Sequence, residues 1–243
     1  GFGQSPFPIP EKIVSVLRDN AHKKDYLPMQ GLPELREAIS KYLLKRTGVD
    51  YKKENIIITP GSKEAMLLMH VVFNGEIILP APSWVSYEPQ AEIAKNKVHW
   101  IETKLDNNWF PTAKQLEDKI KSIGKKNIIL VLNSPNNPSG SVCNNLNQIA
   151  NVVKQNNIKI LSDEIYTDLT FDKSYESISK FCSENTFISG GLSKWCGAGG
   201  WRLGFFAVPN GQPDFLNALK TLASESYSTC LLYTSPSPRD LQG

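Results

Sequence analysis

The sequence predicts an α/β protein of three layers, in which helices cover both faces of a mostly parallel β-sheet. Short apolar runs rich in β-branched residues recur along the chain, and such runs are typical of strands buried on both faces. Longer segments with helical spacing of apolar residues lie between several of these runs. Strands that alternate with helices favour a parallel sheet, in which ligands bind at the carboxyl ends of the strands.

Apolar runs mark the predicted strands, and periodic segments mark the predicted helices. The strands are expected at residues 56–59, 76–79, 128–132, 158–161, 186–189 and 205–208. Helices are expected at residues 63–73, 112–123, 146–155 and 214–226. Each polar motif that could carry chemistry follows directly after one of the runs, so these motifs are expected at the carboxyl edge of the sheet.

An amphipathic helix is predicted upstream of the first strand, at residues 33–44. Pro33 suits a first helical turn, and Glu34 and Glu37 offset the positive pole of the helix dipole. The apolar stripe consists of Leu35, Ala38, Ile39, Tyr42 and Leu43. No predicted strand precedes this helix, so we expect residues 1–50 to form an amino-terminal arm and part of a second, smaller domain. Residues 51–230 are the predicted large domain.

The composition is that of a cytoplasmic globular protein and argues against several function classes. Of the 243 residues, 40% are hydrophobic and 21% are charged, and the net charge of +3 comes from dispersed basic residues, which argues against nucleic-acid binding. The apolar runs are too short to cross a bilayer, and no secretion signal is expected. The four cysteines are dispersed and the three histidines lack metal-ligand spacing, so neither disulfides nor a metal site is expected.

Both ends of the sequence are expected to be incomplete, because it begins with Gly1 and its last residues, 231–243, break the preceding helical pattern. The Ser-Pro-Ser-Pro run in that tail is incompatible with regular structure. The tail also resembles translated adapter sequence of the kind found in assembled transcripts. We therefore expect a native sequence that ends near Cys230, and the alternative is a genuine disordered terminus.

The segment 189–204, Ser-Gly-Gly-Leu-Ser-Lys-Trp-Cys-Gly-Ala-Gly-Gly-Trp-Arg-Leu-Gly, sets a single lysine among glycines that let the backbone approach a ligand. A desolvated lysine loses its proton and attacks carbonyl carbons, so Lys194 is a candidate for Schiff-base chemistry. Arg202 offers a flat charged fork suited to a phosphate. A carbonyl and a phosphate on one small molecule indicate pyridoxal phosphate. The alternative is that Lys194 is a solvated surface residue.

Two motifs after the first two predicted strands suit the phosphate and the ring of such a ligand. Gly61, Ser62 and Lys63 open a helix, where backbone amides and a hydroxyl form an anion site or serve only as a cap. Trp84 can stack on a flat aromatic ligand, or it can be a partly buried core residue.

Two further motifs follow the runs at 128–132 and 158–161. Asn137 lies in a rigid polar loop and can donate to a phenolate oxygen, although Asn-Pro is also ordinary turn chemistry. Asp163 is a carboxylate at a strand end, which is costly to bury unless it meets a cation such as a protonated pyridine nitrogen. Tyr166 can hydrogen-bond to the ring oxygen. The alternative for Asp163 is a helix amino cap.

The motifs in this order resemble the class I and II aminotransferases of the pyridoxal-phosphate fold-type-I superfamily. The likeness runs from Gly3 to about Cys230. Its most specific blocks are Tyr-Leu-Pro-Met-Gln-Gly-Leu-Pro-Glu-Leu-Arg-Glu-Ala-Ile at 26–39, Asn-Asn-Pro-Ser-Gly at 136–140, Ser-Asp-Glu-Ile-Tyr at 162–166, and Ser-Lys-(x)7-Arg-Leu-Gly at 193–204. The resemblance implies the large domain of that fold and pyridoxal 5'-phosphate as the cofactor.

The resemblance also implies roles for the residues around the cofactor ring. Lys194 is expected to form the Schiff base and to carry the proton. Asp163 is expected on the pyridine nitrogen, Tyr166 and Asn137 on the ring oxygen, and Trp84 on the ring face.

The phosphate, the substrate and the partner subunit are assigned in the same way. The phosphate-binding positions are matched by Gly61, Ser62, Lys63, Ser193 and Arg202. Gly3 matches a glycine near the substrate carboxylate, and Trp84 and Asn137 are the other expected substrate contacts. Tyr26 matches a tyrosine that reaches the phosphate of the neighbouring subunit, which implies a homodimer.

The chain departs from the family pattern at two places. Gly191 stands where some members have a phosphate-binding serine. Family members also continue into a small carboxyl-terminal domain with an arginine that binds the substrate α-carboxylate, and nothing in this chain matches that arginine. Arg239 lies in the unusual tail and is not assigned to the role.

The resemblance implies an enzyme that transfers an amino group between an amino acid and a 2-oxo acid, with aspartate or broad specificity favoured. Other enzymes on the same scaffold, such as a carbon–sulfur lyase, a decarboxylase or a synthase, would keep every motif. A ligand-sensing domain of a transcription regulator and an inactive fragment are the remaining alternatives.

Overall fold

The computed structural model describes residues 3–171 and 175–228, and a seven-stranded sheet organises them. The strands are β1 (Ile56–Thr59), β2 (Glu76–Ala81), β3 (Lys97–Glu102), β4 (Ile128–Asn133), β5 (Lys159–Asp163), β6 (Thr186–Gly191) and β7 (Gly204–Ala207). Their order is β1-β7-β6-β5-β4-β2-β3. Strand β7 pairs antiparallel with β1 and β6, and the other paired strands are parallel.

Helices of the described ranges connect and flank these strands. They are α1 (Glu11–Asn20), α2 (Pro33–Thr47), α3 (Ser62–Val72), α4 (Tyr87–Ile93), α5 (Ala113–Ile123), α6 (Leu146–Gln155), α7 (Ser179–Cys182) and α8 (Pro213–Ser226). Helix α2 begins with Pro33 in its first turn and stops at Gly48, whose φ of 73° is the left-handed conformation that glycine tolerates. A capping box between Thr112 and Gln115 starts α5.

Side chains that alternate along the strands pack against helices on both faces of the sheet. On one face, Ile77 and Ile129 join a core with residues of α3, α4 and α8. On the other face, Ile78 and Leu130 pack with residues of α5, α6 and α7, and α2 covers the β1, β6 and β7 end. The predicted three-layer α/β fold with a mostly parallel sheet is therefore confirmed.

The structure adds one strand and three helices that the pattern analysis did not predict. Strand β3 lies at the edge of the sheet, and of its residues only Ile101 is buried, so it has no continuous apolar run. Helices α4 and α7 are only two turns or one turn long, and α1 buries a single residue, Ile13. Elements with so little buried surface leave a weak hydrophobic pattern.

The described residues place α2 directly on the large sheet. Leu35, Ile39 and Leu43 pack against Ile58 and Phe205, so the helix belongs to the layer that covers this face. The division at residue 50 remains a prediction. The predicted non-native tail, 231–243, lies outside the described residues.

The parallel strands place the loops that follow β2, β4, β5 and β6 at one edge of the sheet. The turn after β1 joins this edge because β1 and β6 are both antiparallel to β7. Within the described ranges, no helix has the length and apolar character needed to cross a membrane. The same ranges contain no group of three or more metal-ligating side chains suited to a metal ion.

Candidate active site

A cavity of about 480 Å³ opens at the carboxyl edge of the sheet. All of the site residues predicted from the sequence line it, except Gly61 and Tyr26. Its walls consist of Gly3, Gln4, Ser62, Lys63, Trp84, Tyr87, Asn133, Asn137, Asp163, Ile165, Tyr166, Ser193, Lys194, Gly197, Gly199, Gly200 and Arg202.

The carboxylate of Asp163 forms the floor of this cavity at the end of β5. Only 3% of the residue is exposed. The Tyr87 hydroxyl donates to Oδ2 over 2.8 Å, and Ser189 Oγ donates to Oδ1 over 3.0 Å. Burial raises the pKa of the Asp163 carboxyl, and the two hydroxyls partly oppose this shift by stabilising the charged form. The site therefore holds a buried acid that is stabilised by neutral donors.

The loop after β4 is held to the end of β5 by Asn133. Its Nδ2 donates to the backbone carbonyl of Asp163 over 2.9 Å, and its Oδ1 accepts from the backbone N–H of Asn137 over 2.7 Å. Asn137 Nδ2 in turn donates to the Tyr166 hydroxyl over 3.3 Å. Burial, followed by the charge of Asp163, raises the pKa of Tyr166, so its hydroxyl stays protonated. An amide and a phenol thus stand side by side in the cavity wall.

Lys194 lies in the loop after β6 and reaches across the mouth of the cavity. Its Nζ donates to the carbonyl oxygen of Gly3 over 3.2 Å and lies 5.8 Å from the centre of the Tyr166 ring. Gly3 has a φ of 64°, and a Cβ atom there would lie 2.9 Å from Nζ. A side chain at residue 3 would therefore crowd the lysine amine as well as strain the backbone.

The turn from β1 to α3 and the guanidinium of Arg202 form a positively charged end of the cavity. Arg202 donates from Nη1 to Gly199 O over 2.7 Å and from Nη2 to Pro60 O over 3.1 Å. A Cβ atom at Gly61 would overlap the guanidinium, so a glycine at this position leaves the space that Arg202 occupies. The free N–H groups of the first turn of α3, which begins at Ser62, add to the positive potential. This end of the cavity is suited to an anion.

The tryptophan predicted to stack on a ring lies in the wall between the core and the cavity. The Trp84 ring packs edge-on against Tyr87, with 5.4 Å between ring centres and an angle of 83°. Lys63 Nζ lies 5.5 Å from the centre of the Trp84 ring. Both interpretations of Trp84 are therefore compatible with its position, because it packs against the core and also lines the cavity.

Several cavity residues were not identified from the sequence. Asn133 opens the polar loop whose later asparagine was singled out, so its position before two prolines was a usable signal. Tyr87 gave no such signal, because only the tertiary fold brings the first residue of α4 to Asp163, 76 positions away in sequence. The remaining unpredicted residues that line the cavity are Gln4, Ile165, Gly197, Gly199 and Gly200.

Tyr26 and Gly191 lie away from the cavity walls. Tyr26 is 88% exposed, and its predicted contact with a second subunit stays a prediction. A Cβ atom at Gly191 would lie 2.6 Å from the Leu203 carbonyl oxygen, so this backbone has no room for a serine at that position. Arg239, the arginine left unassigned, lies outside the described residues.

The chain is similar to known proteins in sequence and in fold. A sequence model of the family described as aminotransferase class I and II matches residues 1–238. The chain is 35% identical over 239 residues to an aspartate aminotransferase of Bacillus sp. strain YM-2, covering 94% of this chain and 59% of that protein. It is 34% identical over 220 residues to aromatic-amino-acid aminotransferase 2 of Thermococcus litoralis, covering 86% of this chain and 56% of that protein.

Solved structures show the same likeness. A Thermus thermophilus aspartate aminotransferase with maleate superposes with a TM-score of 0.85 at 29% identity, over 98% of this chain and 61% of that one. The chain thus spans about three fifths of the length of the proteins it matches.

Proposed function

Because the chain belongs to the aminotransferase class I and II family, we propose that the protein transfers an amino group between an amino acid and a 2-oxo acid, with pyridoxal 5'-phosphate as cofactor. One observation carries the proposal. A single cavity is lined by the amine of Lys194, the buried carboxylate of Asp163 and the positively charged guanidinium of Arg202.

The residues present fit pyridoxal phosphate at each of its polar groups. The amine of Lys194 suits the aldehyde carbon, and the Asp163 carboxylate suits a protonated ring nitrogen. Asn137 and Tyr166, which share a hydrogen bond, suit the ring oxygen. Arg202 and the first turn of α3 suit the phosphate, because a planar guanidinium and free backbone amides both bind its oxygens.

The burial of the Asp163 carboxylate also fits this cofactor. Among the described residues, no lysine, arginine or histidine donates to Asp163, although it is buried. A buried carboxylate without a cationic partner is costly. A ligand that brings its own cation, as a protonated pyridine does, would remove that cost.

Each residue then has a defined task. Bound pyridoxal phosphate supplies a carbonyl carbon that condenses with amines and a ring that accepts electrons. Lys194 Nζ would hold the cofactor and would carry a proton to and from the substrate. Asp163 would hold the ring nitrogen in its protonated form, and Trp84 would lie against the ring.

Titration with pyridoxal phosphate tests the proposal. We expect a visible absorption band in the wild-type protein, and peptide mass spectrometry after borohydride reduction should find the pyridoxyl group on Lys194. Lys194→Ala should abolish both signals. Lys159→Ala is the matched control, because Lys159 is a half-buried lysine at the opposite end of β5. An unchanged spectrum in Lys194→Ala would refute the proposal.

We propose aspartate, or a broad set of amino acids, as the substrate class. The relatives named above include one aspartate aminotransferase and one aromatic-amino-acid aminotransferase, so the test must include both kinds of amino acid. Formation of glutamate from 2-oxoglutarate, measured with each amino acid as donor, separates transamination from elimination, which releases ammonia, and from decarboxylation, which releases carbon dioxide.

A homodimer is part of the same proposal. The exposed ring of Tyr26 supports it, because a tyrosine that reaches a partner's phosphate has to project from its own subunit. Sedimentation of the protein with and without pyridoxal phosphate measures the oligomeric state.

A further inference from the structure

The Asp163 carboxylate accepts hydrogen bonds from hydroxyl groups on two different elements of the fold. Tyr87 is the first residue of α4, and Ser189 lies in β6 directly opposite Asp163 in the parallel pairing with β5. Each hydroxyl donates to a different carboxylate oxygen, Tyr87 to Oδ2 and Ser189 to Oδ1. Neither residue has a role in the cofactor chemistry described above.

We propose that Tyr87 and Ser189 are positioning residues that keep Asp163 ionised and oriented toward the nitrogen of the cofactor ring. The inference rests on the proposed function, because it requires pyridoxal phosphate in the cavity. The two hydroxyl groups and Asp163 together then determine whether the ring nitrogen is protonated.

The geometry fixes the orientation of the carboxylate. A carboxylate held at one oxygen can still rotate about its last bond, whereas donors at both oxygens fix its plane. Here the two donors are 2.8 and 3.0 Å away, and the backbone N–H of Ile165 is a third neutral donor. These three donors use three of the four lone-pair positions of the carboxylate, which leaves one for a further hydrogen bond. That remaining capacity is available to a ligand in the cavity, which Asp163 lines.

The ionised form of Asp163 depends more on neutral hydroxyl donors than on nearby charges. The titratable groups around it are Tyr87, Tyr166 and Lys194. Lys194 stabilises the carboxylate less than Tyr87, Ser189 or the backbone N–H of Ile165 does. Burial raises the pKa of both tyrosines, so they remain neutral donors. The ionised form of Asp163 is therefore stabilised mainly by hydrogen bonds from neutral groups, and the loss of one donor favours the protonated acid.

The proton has two places to go when the ring binds. It lies either on Asp163, which leaves a neutral acid beside a neutral pyridine, or on the ring nitrogen, which leaves a carboxylate beside a pyridinium ion. Transfer from one to the other breaks the O–H bond, forms the N–H bond and conserves the net charge. Donors that stabilise the carboxylate shift this equilibrium toward the pyridinium ion, the form that accepts electrons.

Two ligands that differ only in the ring nitrogen test the inference. The probes are pyridoxal phosphate and its carbocyclic analogue, in which the ring nitrogen is replaced by a C–H group. The dissociation constants of both are measured for wild type, Tyr87→Phe and Ser189→Ala. Wild type should prefer pyridoxal phosphate. We expect each substitution to reduce that preference about 10- to 100-fold, because each deletes a hydrogen bond to a charged group. Affinity for the analogue should not change.

The matched controls remove equivalent hydroxyls elsewhere. Tyr51 is as deeply buried as Tyr87, but it donates to the Thr186 carbonyl oxygen. Ser177 is a buried serine that donates to a different carboxylate, that of Glu164. Tyr51→Phe and Ser177→Ala should keep the wild-type preference for the ring nitrogen.

A second measurement reports the proton directly. The ¹⁵N resonance of ring-labelled pyridoxal phosphate should indicate a protonated nitrogen in wild type and a shift toward the unprotonated form in Tyr87→Phe and Ser189→Ala. If Tyr87→Phe does not fold, Ser189→Ala decides the matter alone. A preserved preference and an unchanged resonance in the folded variants would overturn the inference, while failure of wild type to bind pyridoxal phosphate would instead refute the proposed function.

Discussion

Two buried carboxylates that are neighbours in sequence face opposite sides of the sheet. Asp163 faces the cavity at the carboxyl edge, whereas Glu164 lines a second cavity of about 440 Å³ beneath α2. Burial raises the pKa of both carboxyls. The two sites therefore carry the same kind of desolvation cost, and they differ in what else lines the cavity beside the carboxylate.

Glu164 is compensated by the chain itself. Ser162 and Ser177 donate to its Oε1, Tyr175 adds a hydrogen bond, and the positive charge of Arg46 acts on it. Asp163 is compensated in the same manner, by hydroxyl and backbone donors, and in both cases the nearby cation, Lys194 or Arg46, makes the smallest of these contributions. The comparison teaches that burial of an acid does not by itself mark a functional site. What distinguishes Asp163 is that it lines the same cavity as Lys194 and Arg202.

The largest expected effect follows from removal of the charge at Asp163. Asp163→Asn keeps the shape of the side chain but cannot hold the ring nitrogen protonated. We expect kcat to fall roughly 100- to 1,000-fold, as for the loss of other preorganised electrostatic contacts to reacting groups. The free energy of unfolding of the cofactor-free protein should also fall by about 1–3 kcal/mol, because the amide NH2 replaces one of the two oxygens that accept from Tyr87 and Ser189. A variant with nearly normal kcat would remove the distinction between the two carboxylates.

Substitution of the neighbouring acid should lower stability but leave cofactor binding unchanged. Glu164→Gln leaves one acceptor oxygen where Ser162, Ser177 and Tyr175 all donate to the carboxylate, so its NH2 group competes with at least one of these donors. We expect the free energy of unfolding to fall by about 1–3 kcal/mol, since a buried hydrogen-bond network is left partly unsatisfied. Denaturant unfolding measures this loss. The affinity for pyridoxal phosphate should stay the same, and a loss of affinity equal to that of Asp163→Asn would contradict the comparison.

The sequence and the structure agree best where local patterns carry the information. Strands such as β4 are buried on both faces, so an apolar run predicts them, whereas edge strand β3 exposes residues such as Lys97 and shows no run. Asp163 and Lys194 could be identified because they follow strands in a polar or glycine-rich context.

The hydroxyls around Asp163 could not be identified in the same way. Ser189 lies within an apolar run and is an unremarkable strand residue in the sequence, and its partner becomes apparent only from the register between β5 and β6. Tyr87 lies 76 positions from Asp163. Hydrogen bonds between distant elements depend on tertiary packing, and a single sequence carries no local signal for them.

The smallest expected effect is a difference in the pH dependence of stability. A carboxyl whose pKa is higher in the folded than in the unfolded protein binds more protons when folded, so the free energy of unfolding falls as pH rises above about 4. Asp163 and Glu164 both contribute in this direction. His70 acts in the opposite direction, because burial lowers its pKa to about 4, and stability is lost as pH falls below about 6.5.

Differences between variants isolate the two acids, because the contribution of His70 is common to all of them. In the cofactor-free protein, Asp163→Asn and Glu164→Gln should each make the decline of unfolding free energy above about pH 4 less steep. Saturating pyridoxal phosphate should do the same for wild type, since the pyridinium ion stabilises ionised Asp163, and it should leave the contribution of Glu164 in place. Denaturant unfolding at a series of pH values measures these slopes. If the cofactor changed the pH slope of the unfolding free energy as much in Asp163→Asn as in wild type, that result would mean that the charge of the cofactor acts on a group other than Asp163.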